Sequence, residues 1–154
     1  GSCLAPHNAW LQLLGLETLP LRIEKSCANA FAVARFLAAH PEIISVNYPG
    51  LETSSFHDIA TRQFGGRYGG ILTFDLDTRE RCFALIDALK LIRRATNVND
   101  NKSLIIHPAS TIFCDFTPSE RFAMRVTEGM VRLSVGIEEA QDIIDDLAQG
   151  LDSL

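Results

Sequence analysis

One arginine has a type and position that could do chemistry. Arg132 lies in residues 130–135, where it alternates with the apolar residues Val131, Leu133 and Val135. A period of two predicts a strand that turns the apolar side chains to the core and Arg132 to the opposite face. There, a fixed guanidinium could receive a carboxylate through parallel hydrogen bonds. The spacing alone favours an ordinary arginine on the open side of a sheet, and the carboxylate-binding role stays open as the alternative.

A polar loop is predicted as a neighbour of this arginine. Residues 93–102 are rich in Asn and Asp, which tolerate left-handed backbone conformations and suit tight turns. Asn97 lies in the middle of this stretch. It is therefore a candidate to add a hydrogen-bonding side chain beside Arg132.

The other polar residues predict neither a catalytic nor a metal site. The carboxylate pairs Glu138/Glu139 and Asp145/Asp146 fall on the polar side of the last predicted helix, where we expect solvated charge. The four histidines are scattered, and the four cysteines have no zinc-type spacing. Cys82 lies on an apolar helix face and is predicted to be buried, which fits a reduced, cytoplasmic protein. The glycines at 65, 66, 69 and 70 precede no GK[ST] sequence and predict a turn.

Composition excludes several classes of protein. The net charge is −5 and no cluster of Lys and Arg is present, so a nucleic-acid partner is not expected. No apolar run approaches the roughly 18 residues of a membrane span. With 154 residues, 47% hydrophobic and 21% charged, the chain is predicted to form one globular domain.

Irregularly alternating helices and strands must position Arg132 and Asn97. Asn8 is a predicted N-cap of a first helix, and residues 20–39 predict a helix about 30 Å long. Further helices are predicted at 56–64, 79–92 and from 140 onward, and strands at 43–48, 71–76, 104–106 and 130–135. We expect an α+β fold with a long leading helix and then a mostly antiparallel sheet, covered by helices on one face.

Seven segments together resemble the Cys/Met metabolism family of pyridoxal-phosphate (PLP) dependent enzymes. They are residues 8–10, 15–22, 46–51, 69–74, 87–91, 103–110 and 131–138, the last reading VRLSVGIE. The resemblance covers nearly the whole chain and implies the carboxy-terminal domain of a fold type I PLP enzyme. Residues 1–2 would be a tag remnant, residues 3–40 leading helices that link to an absent large domain, and residues 41–154 the α+β domain.

The resemblance also implies roles for two residues. Arg132 would grip the α-carboxylate of an amino-acid substrate, and Asn97 would lie beside that carboxylate. The Schiff-base lysine and the PLP-binding groups of the family belong to the large domain. We therefore expect no catalytic, cofactor-binding or metal-binding residue in this chain and no activity from it alone. The full-length enzyme is expected to bind PLP and to be a homotetramer.

Within the family, residues 97–104 look most like O-acetylhomoserine sulfhydrylases, which make homocysteine or methionine from O-acetylhomoserine and sulfide or methanethiol. Cystathionine γ-synthase and methionine γ-lyase are the alternatives. Asn99 stands where the family usually has Gly, and Ile112-Phe113 where it usually has Thr-His. Two other classes stay open: a self-standing small-molecule-binding α+β module, and an interaction domain.

Overall fold

A computed structural model describes residues 3–154, and the predicted tag remnant Gly1-Ser2 lies outside the described residues. The helices are α1 (Pro6–Glu17), α2 (Leu19–Ala39), α3 (His57–Phe64), α4 (Arg79–Ala88), α5 (Pro118–Ala123) and α6 (Ala140–Leu151), with a 3₁₀ turn at Pro108–Ser110. The strands are β1 (Ser45–Asn47), β2 (Ile71–Asp75), β3 (Arg93–Arg94), β4 (Leu104–Ile106) and β5 (Met130–Ser134). None of the described helices is both long and apolar enough to span a membrane.

The five strands form one mixed sheet in the order β1-β2-β5-β4-β3. All neighbours are antiparallel except β3 and β4, which are parallel. The predicted mostly antiparallel sheet is therefore confirmed. Strand β5 lies at its centre, where it pairs with β2 on one side and β4 on the other.

The core lies between one face of this sheet and the helices α2, α4 and α6. The strands contribute alternate residues that are at most 2% exposed, and the helices cover them with aliphatic side chains; the set includes Leu72, Phe74, Ile105, Val131, Leu133, Val33, Leu37, Leu85, Ile143 and Leu147. This arrangement confirms the predicted helical cover on one face. Cys82 is fully buried there, as predicted, and burial raises the pKa of its thiol to about 12.

Two predicted helix boundaries are wrong. Helix α1 begins at Pro6 with Ala5 as its N-cap, so Asn8 lies inside the helix and caps nothing. Proline suits a first helical position because its missing N–H would have no partner there. Helix α4 ends at Ala88, and Leu89 is extended, with φ −68° and ψ 143°. Ile92 is still only 4% exposed, so its apolar spacing reports the core and not the helix.

The carboxylate of Asp146 explains the early end of α4. It accepts hydrogen bonds from three consecutive backbone N–H groups, those of Lys90 at 2.8 Å, Leu91 at 3.0 Å and Ile92 at 2.9 Å. Asp146 is 6% exposed, so the expectation of solvated charge is wrong for this residue. Its neighbour Asp145 is exposed, as expected.

Within residues 3–154, two residues other than glycine have left-handed backbone conformations, Asn99 with φ 55° and Arg125 with φ 59°. Asn adopts this region readily, whereas a long side chain such as Arg is strained there. We therefore expect Arg125→Gly to raise the free energy of unfolding by about 1 kcal/mol. Urea unfolding followed by circular dichroism measures the change. Asn99→Gly should raise the free energy of unfolding by less. A loss of stability in Arg125→Gly would show that the Arg125 backbone is not strained.

Candidate functional site

Arg132 lies at the middle of the central strand, on the face away from the helices. Its neighbours Val131 and Leu133 are both fully buried in the helical core. Alternation along β5 therefore turns Arg132 the other way, with Thr73 and Ile106 as its partners on the two adjacent strands. The predicted orientation of this side chain is confirmed.

One end of the Arg132 guanidinium is held by backbone carbonyls. Its Nη2 donates to the oxygen of Thr96 at 2.7 Å and of Asn97 at 3.3 Å. Both acceptors belong to residues 95–99, which we call the Arg132 loop. Because the acceptors are main-chain atoms, the strand and the loop together fix the direction of the guanidinium.

The positive charge of the Arg132 guanidinium has no carboxylate partner among the described residues. Its Nε is buried without a hydrogen-bond partner among residues 3–154. No carboxylate of the described chain lies within salt-bridge distance of Arg132. Burial alone holds the pKa of this guanidinium below its ordinary value. A planar guanidinium without a counter-ion is suited to receive a carboxylate.

Arg81 is an arginine with anionic partners in the same fold, and its Nε is likewise buried without a hydrogen-bond partner among the described residues. Its Nη2 bonds to Glu42 and its Nη1 lies 3.3 Å from Asp77. The hydrogen bond to Glu42 is the largest cause that raises the pKa of Arg81. The pKa values of the two arginines are thus shifted in opposite directions, because Arg81 has its anions in place and Arg132 does not.

The structure brings Asn97 to Arg132 through its main chain. The carbonyl oxygen of Asn97 accepts from Arg132, while the residue itself is exposed. Two residues further on, Asn99 has φ 55°. Glycine and asparagine are the residues that adopt this conformation most easily, so Asn99 suits this backbone position.

A buried polar network beside the end of β5 was missed from the sequence. Ser103 donates from its N–H and its Oγ to the Glu138 carboxylate, at 2.7 and 2.9 Å. The N–H of Gly136 donates to Ser103 Oγ at 2.9 Å, and Asn29 Nδ2 donates to the carbonyl oxygens of Gly136 and Glu138. The expectation that Glu138 is simply solvated is therefore wrong. Its carboxylate binds Ser103 just before β4, and its carbonyl oxygen binds Asn29 of helix α2.

Ile112 and Phe113, which the resemblance marks as departures from the family pattern, follow the 3₁₀ turn at Pro108–Ser110. Ile112 is 43% exposed, and the ring of Phe113 packs 5.7 Å from that of Phe116. The N–H of Phe113 donates to the oxygen of Pro108 at 3.0 Å. Both side chains therefore add apolar surface to this loop.

None of the three lysines within residues 3–154 is buried. Lys25 pairs with Glu139 at 3.1 Å on the surface, and Lys90 and Lys102 are exposed. Within residues 3–154, no three His, Cys, Asp or Glu side chains converge to hold a metal ion. The site around Arg132 is thus a candidate anion-binding site.

Comparison with known proteins identifies the class to which this fold and site belong. Residues 1–152 match the sequence model of the Cys/Met metabolism PLP-dependent enzyme family. The chain belongs to this family.

Individual relatives include two kinds of enzyme. O-acetyl-L-homoserine sulfhydrylase of Leptospira meyeri is 44% identical over 156 residues, covering 100% of this chain and 35% of the relative. L-methionine gamma-lyase of Fusobacterium nucleatum subsp. polymorphum is 42% identical, covering 100% of this chain and 39% of the relative. The chain spans only 34–39% of the length of the curated relatives that it matches.

Two solved structures have the same fold. A crystal structure from Campylobacter jejuni, of a protein assigned as an O-acetylhomoserine (thiol)-lyase, superposes with a TM-score of 0.94 at 43% identity, over 99% of this chain and 37% of that one. It contains N'-pyridoxyl-lysine-5'-monophosphate. O-acetylhomoserine sulfhydrylase of Wolinella succinogenes superposes with a TM-score of 0.85 at 49% identity, over 98% of this chain and 40% of that one. The fold is thus that of a domain of PLP-dependent enzymes.

Proposed function

We propose that the full-length protein is a PLP-dependent O-acetylhomoserine sulfhydrylase, and that this domain binds the α-carboxylate of its amino-acid substrate through Arg132. The reaction would replace the acetate of O-acetylhomoserine with sulfide or methanethiol. PLP, when bound, supplies an electron sink for this chemistry. The lysine that carries it would lie in the large domain, outside these residues.

The observation that carries the proposal is that the guanidinium of Arg132 has no anionic partner among the described residues. It is oriented by two carbonyls and has no carboxylate partner among the described residues. An amino-acid substrate offers the planar anion that this group lacks. Asn97 would lie beside the bound carboxylate, since its carbonyl already contacts the same guanidinium.

Helix α1 supports the proposal that a large domain and further subunits pack around this one. None of its twelve residues is buried, and its exposed apolar side chains are Trp10, Leu11, Leu13, Leu14 and Leu16. A helix that is apolar on most of its circumference is usually enclosed by protein. We propose that the large domain and neighbouring subunits of a cytoplasmic homotetramer enclose α1.

Methionine γ-lyase activity is the second candidate, because lyases stand beside sulfhydrylases among the relatives at nearly equal identity. The full-length protein, purified with PLP, should be incubated with O-acetylhomoserine and sulfide and, separately, with methionine. Homocysteine formed in the first reaction, without 2-oxobutanoate in the second, supports the sulfhydrylase. Release of 2-oxobutanoate and methanethiol from methionine alone would overturn it in favour of the lyase.

A further inference from the structure

We infer that Ser134 is a positioning residue that acts on the substrate through Arg132, by holding the Arg132 loop in place. The inference rests on the proposed role of Arg132 as the carboxylate-binding residue. It adds a residue that makes no contact with the substrate in the proposed arrangement.

Ser134 shares a face of the central strand with Arg132. The two residues are separated by one position in β5, so their side chains point to the same side of the sheet. Ser134 is 1% exposed, and its Oγ accepts a hydrogen bond from the backbone N–H of Asn99 at 2.9 Å. A buried hydroxyl of the strand is thus bonded to the main chain of the Arg132 loop.

The Arg132 loop is held at two points by one strand. Arg132 bonds to the carbonyls of Thr96 and Asn97, and Ser134 bonds to the N–H of Asn99, only two residues later. Asn99 itself has φ 55°, so the chain turns at the residue whose N–H bonds to Ser134. Thr96, Asn97 and Asn99 are all exposed, so little packing holds the loop on its outer side.

The loop in turn determines where the guanidinium points. With both carbonyls fixed, Nη2 is occupied and the remaining donors of Arg132 keep one direction, ready for a carboxylate. If the Ser134 bond is lost, the carbonyls can move and Arg132 must be ordered by the substrate itself. The expected consequence is weaker binding of the amino-acid substrate with little change in the chemical step.

The test is a double-mutant cycle in the full-length enzyme with PLP, measuring KM and kcat for the amino-acid substrate. Ser134→Ala should raise KM about fivefold, which corresponds to the loss of one hydrogen bond. Its kcat should stay within about twofold of the wild type, since the interaction serves binding. In the Arg132→Ala background, Ser134→Ala should change KM by less than about twofold, because its effect passes through Arg132. Ser153→Ala, near the carboxy-terminal end of the chain, controls for loss of a serine hydroxyl.

A second pair of variants tests the same contact without touching Ser134. Asn99→Val disfavours the left-handed backbone and should displace the N–H, whereas Asn99→Gly keeps the backbone. Asn99→Val should therefore raise KM more than Asn99→Gly does.

Equal effects of Asn99→Val and Asn99→Gly on KM, or a fivefold rise of KM for Ser134→Ala in both Arg132 backgrounds, would overturn the inference. If Arg132→Ala raises KM and Ser134→Ala does not, the inference fails alone; if Arg132→Ala leaves KM unchanged, the proposed carboxylate site fails with it.

Discussion

Arg132→Ala in the full-length enzyme is expected to raise KM for the amino-acid substrate on the order of tenfold to a hundredfold. Charge-assisted hydrogen bonds contribute about 1.5–3 kcal/mol, and this guanidinium has no other anion among the described residues. The carboxylate is remote from the atoms that react, so kcat should fall less than kcat/KM. Steady-state kinetics with varied amino-acid substrate and saturating sulfide measures both quantities.

Arg132→Lys separates the contribution of charge from that of geometry. Lysine keeps the positive charge but lacks the planar fork, so KM should lie between those of the wild type and Arg132→Ala. Arg62→Ala, which removes the same charge from an exposed position on α3, is the matched control and should have little effect. An unchanged kcat/KM in Arg132→Ala would exclude Arg132 from substrate binding.

Asp146→Ala is expected to lower the free energy of unfolding of this domain by about 3–5 kcal/mol. The substitution leaves the buried N–H group of Ile92 and the partly buried N–H groups of Lys90 and Leu91 without their acceptor, and an unpaired buried donor costs about 1–3 kcal/mol. The extended segment after α4 also loses its attachment to helix α6. Urea unfolding of the chain, followed by far-ultraviolet circular dichroism, measures the loss.

Asp145→Ala is the control next to it in the sequence. Asp145 is exposed and bonds only to Gln141 on its own helix, at 2.7 Å, so its loss should change stability by no more than about 0.5 kcal/mol. Amide hydrogen exchange at residues 90–92 gives a local readout and should accelerate in Asp146→Ala only. Similar losses for the two variants would show that the charge of α6, and not this contact, matters for stability.

The sequence predicted those parts of the fold that depend on local periodicity. Alternation in residues 71–76 and 130–135 predicted strands β2 and β5 and the face on which Arg132 lies, because the side-chain period of a strand is two. The helical spacing of Cys27, Phe31, Ala34 and Ala38 predicted helix α2 except for its first residue, although Phe31 and Ala38 of that stripe are exposed. Such patterns repeat within a few residues, so one sequence is enough to detect them.

The contacts that complete the site join residues far apart in the chain. Asp146 binds N–H groups more than fifty residues earlier, and Arg132 bonds to carbonyls 36 and 35 residues earlier. From its position in the sequence, Asp146 was wrongly expected to be solvated, because a local pattern cannot show what a helix packs against. Main-chain acceptors such as Thr96 carry no side-chain signal, so the hydrogen bonds that orient Arg132 could not be predicted.

The central claim is that this domain supplies the substrate's carboxylate site while another part of the protein holds PLP. Borohydride reduction of the full-length enzyme with PLP, followed by peptide mapping, tests it most directly, because reduction fixes the cofactor to its lysine. The account predicts a single pyridoxyl-lysine outside residues 1–154. A stoichiometric adduct on Lys25, Lys90 or Lys102, prevented by the amino-acid substrate, would contradict it.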